Sequence, residues 1–420
     1  MPALMSAQIL PSTVGTDLVS AVENSRTDVT ALPLPVTLPL VQEWNQLFER
    51  TPRKSYTQNP ERVLLAAEIK ARTVELTDAD LTGQLLTCRA GTTGVLIGAG
   101  ALIPKRIAFG PLLDRLLGRS LRGYHLAAGE FLGEESPEIM SALLGGVTRE
   151  LAEPRAEFVL FENVELESLL WNKLHELGRQ GYLLHHPQGV QPRLRIRFPE
   201  NPEDYWKQFS SKTRNTFRRK QKHLGATELR KFTRPDQVAE FLDLAHSVSL
   251  KSWQSRQLGL RIENNASEKS MYTWEAEAGV FRSYVLMREN RPLAFLVGNQ
   301  YRGWFNYEEV GYDCEFSASS PGTVLLLQVF EELLKNDPPQ VFDFGAGDAD
   351  YKRMFANWTS SSGDIWLVSR KFSAQTAVRC LQANVKVRKW GKSLLAQAGV
   401  WRKVRQFLRQ RQPKAEVQAS

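Results

Sequence analysis

Four groups of residues in this chain have the types and spacing to do chemistry. Asp343 and Asp348 flank the glycines of Asp343-Phe344-Gly345-Ala346-Gly347-Asp348, and Lys352 follows shortly after. At the end of a strand this puts two acids and a cation on the C-terminal edge of a sheet, a common place for a site. In the strand-like run Gly303 to Asp313, alternation puts Phe305, Tyr307, Glu309, Gly311 and Asp313 on one face. Trp304, Asn306, Glu308, Val310 and Tyr312 take the other, so adjacent Glu308 and Glu309 are expected on opposite sides. Ser317 to Thr323 is a small, hydroxyl-rich stretch that opens a helix at Ser320-Pro321-Gly322. The unpaired N–H groups and positive dipole of a helix start suit phosphate. Arg214, Arg218 and Lys222 recur at i, i+4 and i+8 on one helix face, which fits phosphates, a tRNA end or an acidic glycan. Each group also has an ordinary use: a helix start, a capped turn, a surface acid, a solvated charged face.

Several other chemistries drop out. Asp343-Phe344-Gly345 spells a kinase motif, but the Gly-rich loop, strand lysine and H-R-D that must precede it are missing. The same strand resembles the D-x-G-x-G of a methyltransferase, yet too little chain follows Gly347 for the remaining strands. Position 350 is Asp, so the third glycine of a dinucleotide fingerprint is also lacking. The six histidines show no H-E-x-x-H or i+4 pairing, so no metal is expected, and no G-x-S-x-G elbow occurs.

The elements that must position these groups read as two mixed α/β halves. The first has strand-like runs at 83–90, 94–103, 106–112, 157–161 and 194–198, with helices at 136–152 and 166–179. Ser136-Pro137-Glu138 is a strong helix start: a capping Ser, Pro in the first turn and an acid at the positive dipole end. The second half opens at Asn201-Pro202-Glu203 with one helix expected through Lys222. A strand at 228–232 and helices at 235–253 and 267–278 follow. Three strands at 280–288, 292–300 and 303–313 lead to a helix at 320–335, a strand at 340–344, a short helix from Asp350 and a strand at 364–371.

That order, β-α-α-β-β-β-α-β-α-β, matches the GNAT acetyltransferase fold. Arg214, Arg218, Ser320-Pro321-Gly322 and Asp343 through Tyr351-Lys352 further resemble one branch of it. This is the CelD-like acetyltransferase family of cellulose biosynthesis, related in architecture to the Fem-type aminoacyl transferases. The resemblance spans Pro202 to Phe372 and, more faintly, the first half. It implies two tandem GNAT-like domains: a leader at 1–35, a degenerate domain at 36–200, the acetyltransferase domain at 201–373 and a basic helical tail at 374–420. It implies acyl-CoA (acetyl-CoA) as donor, held by Ser319, Ser320, Gly322, Thr323, Arg214 and Arg218. One departure stands out: typical members carry Q/R-x-x-G-x-G/A at the pyrophosphate loop, and here only Gly322 is present. On the same basis Asp313, ending the fourth strand, is expected to orient the acceptor or take its proton, helped by Glu309. Asp348 and Lys352 join the catalytic set, and Trp253, Tyr307 and Asp343 would wall the acceptor pocket. The acceptor is then an amine or hydroxyl of a sugar or cell-envelope precursor. The rivals are an aminoacyl-tRNA-dependent transferase of the Fem type and a non-catalytic scaffold at a membrane surface.

Composition fits such a protein. The chain has 420 residues, 42% hydrophobic and 24% charged, which suits two folded domains rather than a disordered or fibrous chain. Three widely spaced cysteines argue for a reducing compartment rather than a disulfide scaffold. The net charge of +8 is patchy: residues 376–420 carry 11 Lys/Arg against one acid, and 205–231 nine against one, leaving the rest at −10. Local anionic partners are therefore expected. Trp390, Leu394, Ala398, Trp401, Val404 and Leu408 form a helical stripe in the tail, suited to an anionic membrane surface or to the protein's own acidic body. With no signal peptide or spanning segment in the sequence, a cytoplasmic protein is expected, peripheral at the inner membrane face if the tail binds lipid.

Overall fold

A computed structural model describes residues 27–52, 54–73, 81–108, 120–252, 255 and 262–397, with the backbone alone for residues 202 and 385–397. The first half begins with β1 (Thr27–Pro33), α1 (Leu38–Arg50), a 3-10 turn (Tyr56–Gln58), α2 (Pro60–Thr73), β2 (Gln84–Ala90) and β3 (Leu96–Ile107). It continues with β4 (Leu121–Leu126), β5 (Leu132–Gly133), α3 (Pro137–Ala152), β6 (Phe158–Glu165), α4 (Leu169–Arg179), β7 (Leu183–His185) and β8 (Gln191–Arg197). The second half runs α5 (Pro202–Lys207), α6 (Ser211–Leu224), β9 (Glu228–Phe232), α7 (Val238–Ser249), α8 (Ala266–Glu277), β10 (Ser283–Arg288) and β11 (Arg291–Tyr301). Then come β12 (Trp304–Tyr312), α9 (Pro321–Asn336), β13 (Val341–Ala346), α10 (Asp350–Phe355), β14 (Trp358–Val368) and α11 (Phe372–Gln397).

Among the described residues, the strands join one 14-stranded mixed sheet, ordered β1-β2-β3-β4-β6-β14-β8-β13-β12-β11-β10-β9, with β5 beside β3 and β7 beside β14. Its centre is an exchange. β8, from the first half, pairs antiparallel with β13, while β14, from the second, pairs antiparallel with β6. Each half thus completes its partner's sheet, and the ladder of backbone hydrogen bonds is unbroken between them.

The halves also repeat one another. In each, an antiparallel run is followed by a helix and a parallel strand, β4–α3–β6 in the first and β12–α9–β13 in the second, and each parallel contact spans three residue pairs. The second repeat packs an aromatic core on one face of the sheet, where Phe305 stacks on Phe342 at 4.7 Å and Phe330 meets Phe342 and Phe355 edge-on at 5.1 Å. On the opposite face α7 and α8 cover Val285, Met287, Phe295 and Val297.

Several expectations are corrected. Thr27–Pro33, read as part of a loose leader, is a strand in register with β2. Residues 94–103 and 106–112 were expected as two strands; the structure has one, β3, across Pro104-Lys105, whose described continuation ends at residue 108. The helix expected from 201 to 222 is broken, because the Ser210 hydroxyl accepts from the Thr213 N–H and starts α6 afresh. The tail helix is partly claimed by the body: Ala374, Ala377 and Val378 pack on Leu121, Phe158, Trp366 and Val368. The side chains of Trp390 and Leu394, and residues 398–408 of the apolar stripe, lie outside the described residues. Among the described residues, no helix is long and apolar enough to cross a membrane.

Candidate functional site

The sheet forks where the sequence groups converge. β12 and β13 pair at Trp304–Val341, Phe305–Phe342 and Asn306–Asp343, and their pairing stops there. On the other edge of β12 the register with β11 jumps: Gly298 lies opposite Tyr307 and Val297 opposite Glu309, so Glu308 is an extra, bulged residue. The bulge overturns strict alternation. Phe305, Tyr307, Val310 and Tyr312 pack with the aromatic core beside α9. Glu308 and Glu309, expected on opposite faces, both turn to the α8 side, where the charges of both bear on Tyr272. Gly311 also faces that side: an added Cβ would stand 2.4 Å from the Phe295 ring. Gly311→Ala should therefore cost about 1–3 kcal/mol of stability by overpacking, seen as a lower denaturant midpoint at unchanged slope.

The walls of the fork are aromatic. The hydroxyls of Tyr307 and Tyr351 are 2.9 Å apart, and the Tyr307 ring lies 5.6 Å from that of Phe344. Lys352 reaches back to donate to the carbonyl oxygens of Phe344 at 2.8 Å and Ala346 at 3.2 Å, the end of β13. Burial lowers the proton affinity of its amine against the pull of Asp343 and Asp348. Asp343 is buried and accepts from Arg193 and Arg195, both at 2.8 Å, and from the Gly345 N–H at 2.7 Å. Arg195 in turn lies 4.6 Å over Trp358 and 5.5 Å over Trp304, and pairs with Glu165. Asp343 thus holds the exchanged strand β8 and the glycine turn. Asp348 is half exposed and paired with Arg353 at 2.7 Å.

The two Ser-Pro helix starts differ in a telling way. Ser136 caps α3, accepting from the Glu138 and Ile139 N–H groups, and Glu138 adds a negative charge. At α9, Ser320 is left-handed (φ 53°) and its side chain does not cap the helix, and the first turn has no acid. The second-half N-terminus is therefore open to an anion where the first is closed. An added Cβ at Gly322 would sit 3.4 Å from the Tyr312 ring, in ordinary van der Waals contact. Ser319 and Ser320 lie half-buried at this turn, and Thr323 Oγ1 is 3.4 Å from Lys220 Nζ, which brings basic α6 alongside. Arg214 is used otherwise: it donates to the Phe209 carbonyl at 2.9 Å and ties α6 to the end of α5. Arg218 is exposed and donates to its neighbour Asn215 at 3.2 Å.

Asp313 is fully buried and already committed. It accepts from Arg291 at 2.8 Å and the Glu315 N–H at 3.0 Å, with Lys251 at 3.8 Å. Glu309 is different. No described residue hydrogen-bonds its carboxylate, and burial, with Glu268 and Glu308 nearby, pushes its pKa up to about 7. Around it stand residues the sequence reading missed. Glu268, Tyr272 and Glu275 of α8 are spaced i, i+4 and i+7 on one helix face, a signal visible in the sequence. Glu275 is buried and holds Arg62 of the first half at 3.1 Å. Tyr56, also of the first half, donates to Glu308 at 2.7 Å, a contact across 252 residues that no local pattern announces. Trp253 lies outside the described residues.

The family model for an acetyltransferase (GNAT) domain matches residues 211–353, which include α6, the fork and the α9 start. Among solved structures, FemX aligns over 81% of this chain and 97% of its own at 12% identity, with a TM-score of 0.54. The C-terminal domain of a putative lysylphosphatidylglycerol synthetase from Agrobacterium fabrum aligns over 81% of this chain and 94% of its own at 11% identity and TM-score 0.49. A tandem GNAT protein from the clavulanic acid biosynthesis pathway covers 81% and 99% at 12% identity and TM-score 0.47. The likeness to FemX shows the fold. Comparison with the curated proteins finds no match. Residues 211–353 are thus similar to an acetyltransferase (GNAT) domain, within a mixed α/β architecture like that of FemX.

Proposed function

We propose that this protein moves an acyl group from acyl-CoA to an amine or hydroxyl acceptor, with Glu309 as the proton acceptor. The observation that carries this reading is the fork between β12 and β13, which opens beside an uncapped α9 N-terminus on one face and Glu309 on the other. The donor's pyrophosphate would lie on the α9 start, near Ser319, Ser320, Gly322 and Thr323, with Lys220 as a cation. Its thioester would point through the fork. The acceptor's lone pair attacks the thioester carbonyl, the C–S bond breaks, the leaving thiolate takes up a proton from solvent, and Glu309 receives the proton lost by the acceptor and returns it to solvent. No covalent enzyme intermediate is required. In this reading Asp313, Asp343, Asp348 and Lys352 shape the site rather than transfer protons, because each is already engaged by neighbouring groups. The resemblance to CelD-like proteins supports a sugar or cell-envelope precursor as acceptor. The first-half repeat, with its capped α3, is the structural partner.

A second reading has one observation in its favour: Arg218, Arg219 and Lys222 are exposed on α6 and would suit the end of a tRNA carrying an aminoacyl donor. Calorimetric titration with acetyl-CoA separates the two. Saturable binding that Gly322→Trp abolishes, by driving a side chain across the α9 start, is the expected result. No binding of acetyl-CoA or a longer acyl-CoA to the unaltered chain would overturn the acyl-CoA reading and leave aminoacyl-tRNA or a non-catalytic scaffold.

A further inference from the structure

Tyr56 takes no part in the transfer just described, yet the first half of the chain places it with care. Its 3-10 turn is closed by a reciprocal cap, in which the Thr57 N–H donates to Ser55 Oγ at 3.3 Å and the Ser55 N–H to Gln58 Oε1 at 2.9 Å. Gln58 then donates to the Phe131 carbonyl at 3.1 Å, anchoring the turn to the first half. From there the Tyr56 side chain, 3% exposed, crosses to the second half. Its hydroxyl donates to Glu308 Oε1 at 2.7 Å, and Asn299 Nδ2 donates to both oxygens at 2.7 Å. Asn299 Oδ1 accepts from Asn306 Nδ2 at 2.9 Å, and Asn306 is the last β12 residue paired with β13 before the fork. Burial, reinforced by Glu308 and Glu275, keeps the phenol protonated and hence a donor.

We propose that Tyr56 is a positioning residue of the transfer site: through it the first half holds the Glu308 carboxylate beside Glu309, so that the two halves form one catalytic unit. The inference rests on Glu309 as the proton acceptor. The bulge brings two neighbouring carboxylates to one face, and two donors pin the first while no described residue hydrogen-bonds the second. Among the described residues, the other ionisable groups gathered there are Glu268, Tyr272 and Glu275 on α8, Glu263 acting on Glu268, and Arg62 on α2, with Arg62 engaged by Glu275 and lying 5.0 Å from the Tyr56 ring. Without the phenol, Glu308 keeps, among the described residues, the Asn299 donor alone and can swing towards solvent, which relaxes its repulsion of Glu309.

The test is a carbon NMR titration of glutamate-labelled full-length protein, with the Glu309 carboxyl assigned through Glu309→Gln, in the unaltered, Tyr56→Phe and Arg62→Gln chains. Tyr56→Phe is expected to lower the Glu309 midpoint by roughly half a unit or more, as weakened charge–charge coupling requires. Arg62→Gln also breaks a contact between the halves, but it removes a cation and so does not lower that midpoint. Turnover with acetyl-CoA and an amine should fall about tenfold in Tyr56→Phe, the scale of one hydrogen bond to a charged group, with donor affinity by calorimetry unchanged. A Glu309 midpoint unmoved in Tyr56→Phe, or lowered equally in Arg62→Gln, overturns the proposal. A chain that binds no acyl-CoA while Tyr56→Phe still moves the midpoint overturns the acyl-CoA reaction and leaves the positioning role standing.

Discussion

Glu309→Gln is expected to lower kcat for acyl transfer by roughly 10²–10⁴-fold, the contribution of a well-placed general base, while acetyl-CoA still binds. Glutamine keeps the size and a carbonyl oxygen but has no basic site for the proton. Because burial and the charges of Glu268 and Glu308 raise the Glu309 pKa to about 7, the proposed activity of the unaltered chain should fall as pH drops through that value. The sign follows from the role: a base must be unprotonated, so the limb lies on the acid side. Glu308→Gln removes one of the two negative neighbours and moves the limb to lower pH. The measurement is kcat/KM against pH for the three chains, with calorimetry to establish that the donor site is intact. Loss of donor binding in Glu309→Gln would place the residue in the donor site instead.

Asp343→Ala should destabilise the fold by about 3–5 kcal/mol, the usual cost of stripping one partner from a buried ion pair. Arg195 is 3% exposed and Arg193 is partly covered, and both donate to the same Asp343 oxygen at 2.8 Å. Removing the carboxylate leaves two cations facing one another at the join between β8 and β13. The Gly345 N–H also loses its acceptor. Denaturant unfolding reads the effect directly. A stable Asp343→Ala chain with normal melting and no turnover would return Asp343 to the chemistry and contradict the structural role.

The order of elements in the second half is written locally. Asn201-Pro202 announces its helix, Ser320-Pro321-Gly322 marks the start of α9, and the hairpin turns around Asn290 and Gly303 separate β10, β11 and β12. What escaped depends on distant partners. The exchange of β8 and β14 is decided by pairing between halves: Arg195 meets Asp343 across 148 residues. The bulge at Glu308 leaves one mark, the slip of the apolar alternation from Phe305 and Tyr307 to Val310 and Tyr312 across Glu308-Glu309, and the register with Val297 and Gly298 shows its cause. That one extra residue turns Tyr307 away from Glu309 and puts two carboxylates side by side. Asp313 looked free in sequence because Arg291 and Lys251, which engage it, come from other elements. The open start of α9 was visible as Ser-Pro-Gly, but its contrast with the capped start of α3 needed both helices in view.

The most direct test of the account is the pH dependence of kcat/KM for transfer from acetyl-CoA to an amine, measured side by side for the unaltered chain and Glu309→Gln. The account predicts an acid limb near pH 7 in the unaltered chain and a slow, flat profile across that range in the variant. The same limb at the same pH in both chains, with equal rates, would contradict it.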